Sequence, residues 1–247
     1  MKRIKKRSIK DLSNHFLYPR KCPACGIVLP AGELVCAKCR EEIRLIGEPT
    51  CMQCGRHIED EGAELCPTCA GSDRSNIFGL AVFAYDDIMR RVMSDLKFHD
   101  RMDNADYLAA MAVSRFGQRI RSFDPCALIP VPVHRSRLRS RGFNQSEVIC
   151  QKISELLGTP VVSDLLLRVR KTDYQKNLDR ILRKRNLEGA FSCDSERYPK
   201  ERVKAEFPRV LLVDDIYTTG STMEHCSAEL IAAGVGEVGL LSICIGK

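Results

Sequence analysis

Near the end of the chain, Val210-Leu211-Leu212-Val213 is followed at once by Asp214-Asp215, and then by Ile216-Tyr217-Thr218-Thr219-Gly220-Ser221-Thr222. The four apolar residues have the pattern of a buried strand. From about Ser221 to Ala233 the pattern is helical, with Met223, Cys226, Leu230 and Ile231 on the buried face and Gly234 as a cap. Strand, acidic pair, hydroxyl-and-glycine loop, helix: this order places unpaired backbone N–H groups and the positive end of a helix dipole beside two carboxylates. Such a helix start favours an anion. Thr218, Thr219, Ser221 and Thr222 add hydroxyl donors. Asp214 and Asp215 would repel the anion unless they engage sugar hydroxyls or a cation. A phosphorylated sugar meets both demands, and the arrangement belongs to an α/β fold.

The length of 247 residues accommodates one good-sized α/β domain and a small one. A formal charge of +7 favours phosphate-bearing partners. No apolar run reaches the roughly 18 residues that a membrane helix needs, so stable membrane insertion is not expected. The basic start lacks an apolar signal core, which points to the cytoplasm. Thirteen cysteines are then too many for a cytosolic chain unless they bind metal.

Eight of them form four Cys-x-x-Cys pairs, Cys22/Cys25, Cys36/Cys39, Cys51/Cys54 and Cys66/Cys69, separated by ten, eleven and eleven residues. Each pair sets two thiolates on a tight turn, and two turns together make a tetrahedral zinc site. Gly26 and Gly55 follow the second cysteine where a knuckle needs a permissive backbone. Redox pairs and disulfides are the alternatives; four regular copies outside a βαβ unit argue against redox pairs, and a cytosolic chain argues against disulfides. We expect two structural zinc ions in a double zinc ribbon. Sequential pairing is the default, and spacing alone leaves a cross-brace open. Closed Cys₄ sites offer no catalytic position. Three domains follow: a basic arm over 1–20, the double zinc ribbon over 21–72, and an α/β domain over 73–247. The arm suits DNA, anionic lipid or plain solvent.

In the α/β domain, strands are predicted over 78–84, 127–133, 161–169, 187–191 and 238–245, and helices over 86–97, 103–121 and 143–157. Lys97 and His99 read as cations at a helix C-terminus. Pro130 and Pro132 should end the second strand near Ile129, leaving Val131, Pro132, Val133, His134 and Arg135 as a shaped loop at its C-terminal end. Arg135, Arg137, Arg139 and Arg141 alternate, and an extended segment would project all four to one side as a comb for phosphates. The segment 170–186 is long and basic, with Lys171, Lys176 and Arg183, and residues 194–208 read as an exposed excursion.

The Val210 to Thr222 stretch resembles the phosphoribosyl-pyrophosphate (PRPP) motif of type I phosphoribosyltransferases. With Ile129 to His134, Arg141 to Ser146, the spaced Gln175, Leu178, Arg183 and Asn186, Gly189 to Phe191 and the cysteine-rich start, the chain is similar to the ComF family of competence proteins. The resemblance implies a type I phosphoribosyltransferase-like parallel sheet flanked by helices and preceded by a small zinc-ribbon module. It implies that Asp214 and Asp215 hold the ribose hydroxyls, and that Tyr217, Thr218, Thr219, Gly220, Ser221 and Thr222 cradle the 5′-phosphate. The loop Val131 to Arg135 would take pyrophosphate, with Mg²⁺ arriving on it. The 170–186 segment would be a lid; Arg137, Arg139, Arg141, Lys171, Lys176 and Arg183 are lid or DNA candidates.

The family further implies a role in natural transformation, handling incoming single-stranded DNA in the cytoplasm or at the inner face of the membrane. Partners there would be a DNA translocase or helicase and recombination-loading proteins. Two other functions fit the residues. One is a phosphoribosyltransferase of unknown acceptor, for which no base-recognition element is visible. The other is a PRPP sensor without turnover.

Overall fold

The computed structural model describes residues 19–71, 76–98, 101–171 and 187–246. The chain divides into two compact units, Met1–Ile43 and Arg44–Lys247. In the first, an antiparallel bridge between Lys21 and Val28 closes a knuckle at Gly26, whose φ of 77° is costly for any residue with a Cβ. Helix α1 (Ala37–Glu42) starts on Cys36, whose sulfur accepts the Cys39 N–H. The second unit opens with the same device: a bridge between Thr50 and His57, Gly55 at φ 72°, and α2 (Pro67–Ala70) starting on Cys66.

The rest of the second unit is a parallel sheet in the order β1-β6-β5-β2, made of β1 (Phe78–Ala84), β2 (Ala127–Pro130), β5 (Arg209–Tyr217) and β6 (Glu237–Ile245). A parallel bridge between Leu128 and Val161 extends the β2 edge. An antiparallel pair, β3 (Leu166–Arg168) and β4 (Phe191–Cys193), forms a separate small sheet. The helices are α3 (Asp87–Phe98), α4 (Asn104–Phe123), α5 (Arg135–Arg141), α6 (Gln145–Leu157), α7 (Lys200–Glu206) and α8 (Ser221–Ala233). The expected α/β class and parallel sheet are present.

Strands β5 and β6 are apolar on both faces because both faces are covered. Val210, Leu211, Leu212 and Val213 are fully buried. Each such side chain contributes roughly 1.5–3 kcal/mol on removal from water. Alternation puts Val210 and Leu212 in one core cluster with Met223, Cys226 and Leu230 of α8 and with Phe191 of β4. Asp214 continues that row and Asp215 the opposite one. Because the four strands are parallel, the ends of β1, β2, β5 and β6 share one edge of the sheet, where ligands of open α/β sheets sit.

Several expectations need correction. The strand with the motif does not stop before the acids but runs on through Tyr217. Strand structure over 161–169 is confined to the Val161 bridge and β3, and the strand expected over 187–191 begins at Phe191. Residues 194–208 are not a wholly exposed excursion: Tyr198, Val203 and Phe207 are buried around α7. The arginine comb is a helix, not an extended segment. His134 caps its start by accepting the Ser136 N–H, and Gly142 at φ 82° ends it. The basic arm up to residue 18, and the segment 172–186 with Lys176 and Arg183, lie outside the described residues.

Candidate functional site

Asp214 and Asp215 sit side by side at the C-terminal edge of the sheet, each under a tenth exposed. Two adjacent buried carboxylates repel each other, so each needs its own support. The Asp214 carboxylate accepts the Ser146 hydroxyl at 3.3 Å and the Asp215 N–H at 2.9 Å. Burial, with the neighbouring Asp215 charge, still holds it well above the usual carboxylate range. Asp215 pairs with Lys97 at the end of α3. Burial pushes the Asp215 carboxyl up, but the Lys97 charge outweighs it and the net shift is downward. Lys97 is moved the complementary way: burial opposes its charge, and Asp215 overcomes that opposition and raises it.

Beyond the acids, Tyr217 ends β5 and Thr218, Thr219 and Gly220 lead into α8. Gly220 is the N-cap at φ 84°, and no side chain caps the helix. The Thr219 and Ser221 hydroxyls lie 3.1 Å apart. Apart from Glu224, whose N–H bonds the Gly220 carbonyl at 2.9 Å, the first turn keeps its donors available for an anion.

The loop after β2 is tied to the same edge. The Val131 N–H bonds the Val213 carbonyl at 2.9 Å, and the Asn144 amide holds the Val131 carbonyl at 3.1 Å while capping α6 through Ser146 N–H. Pro132 is buried, and Val133 and His134 are half-buried as the loop enters α5. Helical spacing splits the arginines into two i,i+4 pairs. Arg135 and Arg139 are exposed. Arg137 and Arg141 are half-buried; Arg141 is within electrostatic reach of both Arg137 and Asp215, and burial and then Arg137 lower its pKa. Arg141 also bonds Gln145 at 3.0 Å and lies over the Phe98 ring at 4.7 Å. Lys171 is exposed at the last described position before the basic segment.

Ser146, Asn144, Lys97 and Arg168 stand at this edge, and the residue pattern gave none of them a role there. Arg168 lies over Phe191 at 5.3 Å and senses Arg137 and Asp214. Asn144 and Ser146 stood in a quoted motif without a role. Lys97 read as a helix-end cation, and no local signal ties it to Asp215.

The cysteines gather as Cys22, Cys25, Cys36, Cys39 and as Cys51, Cys54, Cys66, Cys69, with all sulfurs of a set within 4.8 Å of one another. This is the sequential pairing. Cys25 and Cys36 sulfurs are 3.8 Å apart, as are those of Cys54 and Cys66. Zn–S bonds of about 2.3 Å in a tetrahedron give about that separation. None of the cysteines is in a disulfide. Both sets fit structural zinc, and four sulfurs leave no open position. His57 is exposed, its ring nitrogen 3.1 Å from the Gly47 and Pro49 carbonyls, outside the ligand set. No helix among the described residues is long and apolar enough to cross a membrane.

Comparison with known proteins adds to this geometry. A family described as double zinc ribbon domain matches residues 14–70. A Haemophilus influenzae protein named Competence protein F is 31% identical over 212 residues, covering 83% of this chain and 87% of that protein. DNA utilization protein YhgH of Salmonella typhimurium is 29% identical, covering 85% of this chain and 96% of the relative. Competence protein ComFC of Bacillus subtilis is 25% identical, covering 84% and 82%. Among solved structures, the B. subtilis glutamine PRPP amidotransferase complexed with ADP and GMP aligns at a TM-score of 0.38 and 15% identity, over 61% of this chain and 30% of that one. That likeness is too weak to bear on function. The extent and identity of the match to Competence protein F, with the paired cysteine hairpins in place, place this chain in the ComF family.

Proposed function

We propose that this protein acts in DNA uptake or use, handling incoming single-stranded DNA in the cytoplasm, and that its α/β unit binds PRPP. The observation that carries the PRPP reading is the uncapped start of α8 directly beyond the buried Asp214–Asp215 pair. Asp214 and Asp215 would accept the ribose hydroxyls, and the N–H groups and hydroxyls of residues 217–222 would take the 5′-phosphate. The Val131 to Arg135 loop and the Arg137/Arg141 pair would face the pyrophosphate. Mg²⁺ would arrive with that group and offset its charge. Names of relatives support the DNA role. So does the exposed Arg139, which suits a polyanion. The acids select a sugar with free hydroxyls, which a deoxyribose backbone lacks, so the DNA surface and the pocket are neighbours and not one site. A translocase or helicase and recombination-loading proteins are the partners this role calls for.

Calorimetric titration tests both halves. PRPP–Mg²⁺ and a single-stranded oligonucleotide are added separately and together to wild type and to Asp214→Ala/Asp215→Ala. The double variant should lose PRPP and keep the oligonucleotide. Wild type that ignores PRPP removes the first half; oligonucleotide affinity indifferent to salt removes the second.

A further inference from the structure

We propose that Arg56 is a positioning residue through which the second zinc site sets the shape of the phosphate loop. This rests on reading residues 217–222 as a phosphate cradle. Arg56 lies two residues after the zinc ligand Cys54, and both ends of the residue are held. Its backbone belongs to the knuckle: its carbonyl accepts the Cys51 N–H at 2.7 Å. Its guanidinium leaves the knuckle and reaches the ligand edge of the sheet. There it donates to the carbonyls of Gly246, just past β6, and of Thr218, the latter at 3.3 Å.

The segments that carry those two carbonyls are themselves linked. The Gly246 N–H bonds the Tyr217 carbonyl at 2.8 Å. Arg56, Gly246 and the Tyr217–Thr218 turn therefore form one closed set of contacts around the start of the loop. A planar fork suits two carbonyls from different segments, where a single ammonium does not. The consequence for the loop follows from peptide geometry. In a trans peptide the C=O and N–H point in opposite directions. Fixing the Thr218 carbonyl on Arg56 turns the Thr219 N–H away from the ribbon and leaves it free for an anion. Zinc holds the knuckle, the knuckle holds Arg56, and Arg56 holds the orientation of the first donor peptide.

The base of this lever is firm. Gly55 and Gly79 leave no room between knuckle and β1: a Cβ on Gly79 would stand 2.3 Å from the Gln53 carbonyl oxygen, and one on Gly55 2.5 Å from the Ala81 nitrogen. The Gly79 N–H bonds the Met52 carbonyl at 2.7 Å, and the Asn76 amide bonds the Gln53 carbonyl at 2.9 Å. The second ribbon is thus seated on the strand next to β6, and a shift of the knuckle moves the guanidinium with it.

The test uses the full zinc-loaded chain as wild type, Arg56→Ala and Arg56→Lys. Hydrogen–deuterium exchange is followed over residues 217–224 without ligand, zinc content is measured, and ribose 5-phosphate is titrated by calorimetry. Arg56→Ala should keep both zinc ions, exchange across the loop about tenfold faster and bind ribose 5-phosphate about tenfold more weakly, as loss of charge-assisted hydrogen bonds implies. Arg56→Lys should fall between. Loop exchange unchanged in zinc-loaded Arg56→Ala overturns the proposal, whatever the ligand does. If wild type does not bind ribose 5-phosphate, the phosphate reading fails, and ligand-free exchange still decides whether Arg56 holds the loop. Should Arg56→Ala shed zinc, exchange in Arg56→Lys decides instead: faster than wild type supports the proposal, and equal to it sinks it.

Discussion

Lys97 at the end of α3 forms a buried ion pair with Asp215 near the C-terminal end of β5. The two side chains are 16% and 8% exposed, so removing one strands the other away from water. Breaking a buried pair typically costs about 3–5 kcal/mol, more than the pair contributes over an apolar substitute. Lys97→Met should therefore lower stability by about 3 kcal/mol near neutral pH, measured by urea unfolding. The loss should shrink in acid, where the orphaned carboxyl protonates. Lys97→Met/Asp215→Asn should recover most of it. A double variant as unstable as the single one would show that Lys97 serves packing and not charge.

Asp214 gives the opposite sign. Its pKa is raised in the folded chain, first by burial and then by Asp215. Between the ordinary carboxylate range and that raised value the folded state binds more protons than the unfolded one. Stability then falls as pH rises through this window. Asp215, held low by Lys97, contributes the reverse: stability present above the ordinary range and lost on acidification. Asp214→Asn keeps acceptors for Ser146 and the Asp215 N–H without the charge. It should gain about 1–2 kcal/mol at pH 8, less at pH 5, while losing affinity for PRPP. Equal stability change at both pH values would remove the electrostatic account.

The strand-to-helix unit at 209–233 was legible because its signals are local: an apolar run, then helical spacing, then Gly234. The cysteine sets were legible for the same reason. Misreading of Arg135 to Arg141 came from a periodicity that two structures share. Alternating arginines suit an extended chain, yet the capping His134 and the left-handed Gly142 frame one short helix. Charge hid α7, since five of the seven residues from Lys200 to Glu206 are charged and Val203 is the one residue of the helix that is buried. The contacts of Lys97 and Arg56 join segments far apart in sequence, and no window along the chain can contain both partners.

Gly79 packs against the second zinc knuckle at the start of the sheet. An added methyl there meets backbone, which cannot swing aside as a side chain can. Gly79→Ala should cost about 1–3 kcal/mol, as overpacking does. It should also make zinc easier to extract by chelator from the second site than from the first. Wild-type zinc release from both sites would mean that the knuckle holds its metal without its seat on β1.

Zinc content itself separates the two units. Each Cys₄ set supplies folding energy to the hairpin that carries it. Cys25→Ser should remove one of two zinc ions and leave the thermal transition of Arg44–Lys247 near that of wild type. Cys54→Ser should also remove one ion, but should lower that transition, because its knuckle belongs to the same compact unit as the sheet. Equal effects of the two variants on that transition would contradict this division, and zinc near zero in the wild type would overturn the metal assignment.

Single-strand binding should depend on salt through the arginines that face solvent. Each phosphate contact on single-stranded DNA contributes about 0.7 to the slope of log affinity against log salt. Arg135 and Arg139 share the exposed side of α5, whereas Arg137 and Arg141 are half-buried and Arg141 is within electrostatic reach of Asp215. Arg139→Ala should flatten the slope by about 0.7 and leave PRPP affinity unchanged. Arg137→Ala should do the reverse, weakening PRPP through the lost pyrophosphate contact with little change in slope. Fluorescence anisotropy across a salt series reads the first effect and calorimetry the second. If Arg137→Ala changes the slope as much as Arg139→Ala does, one continuous polyanion track crosses the pocket and the separation of the two surfaces is wrong.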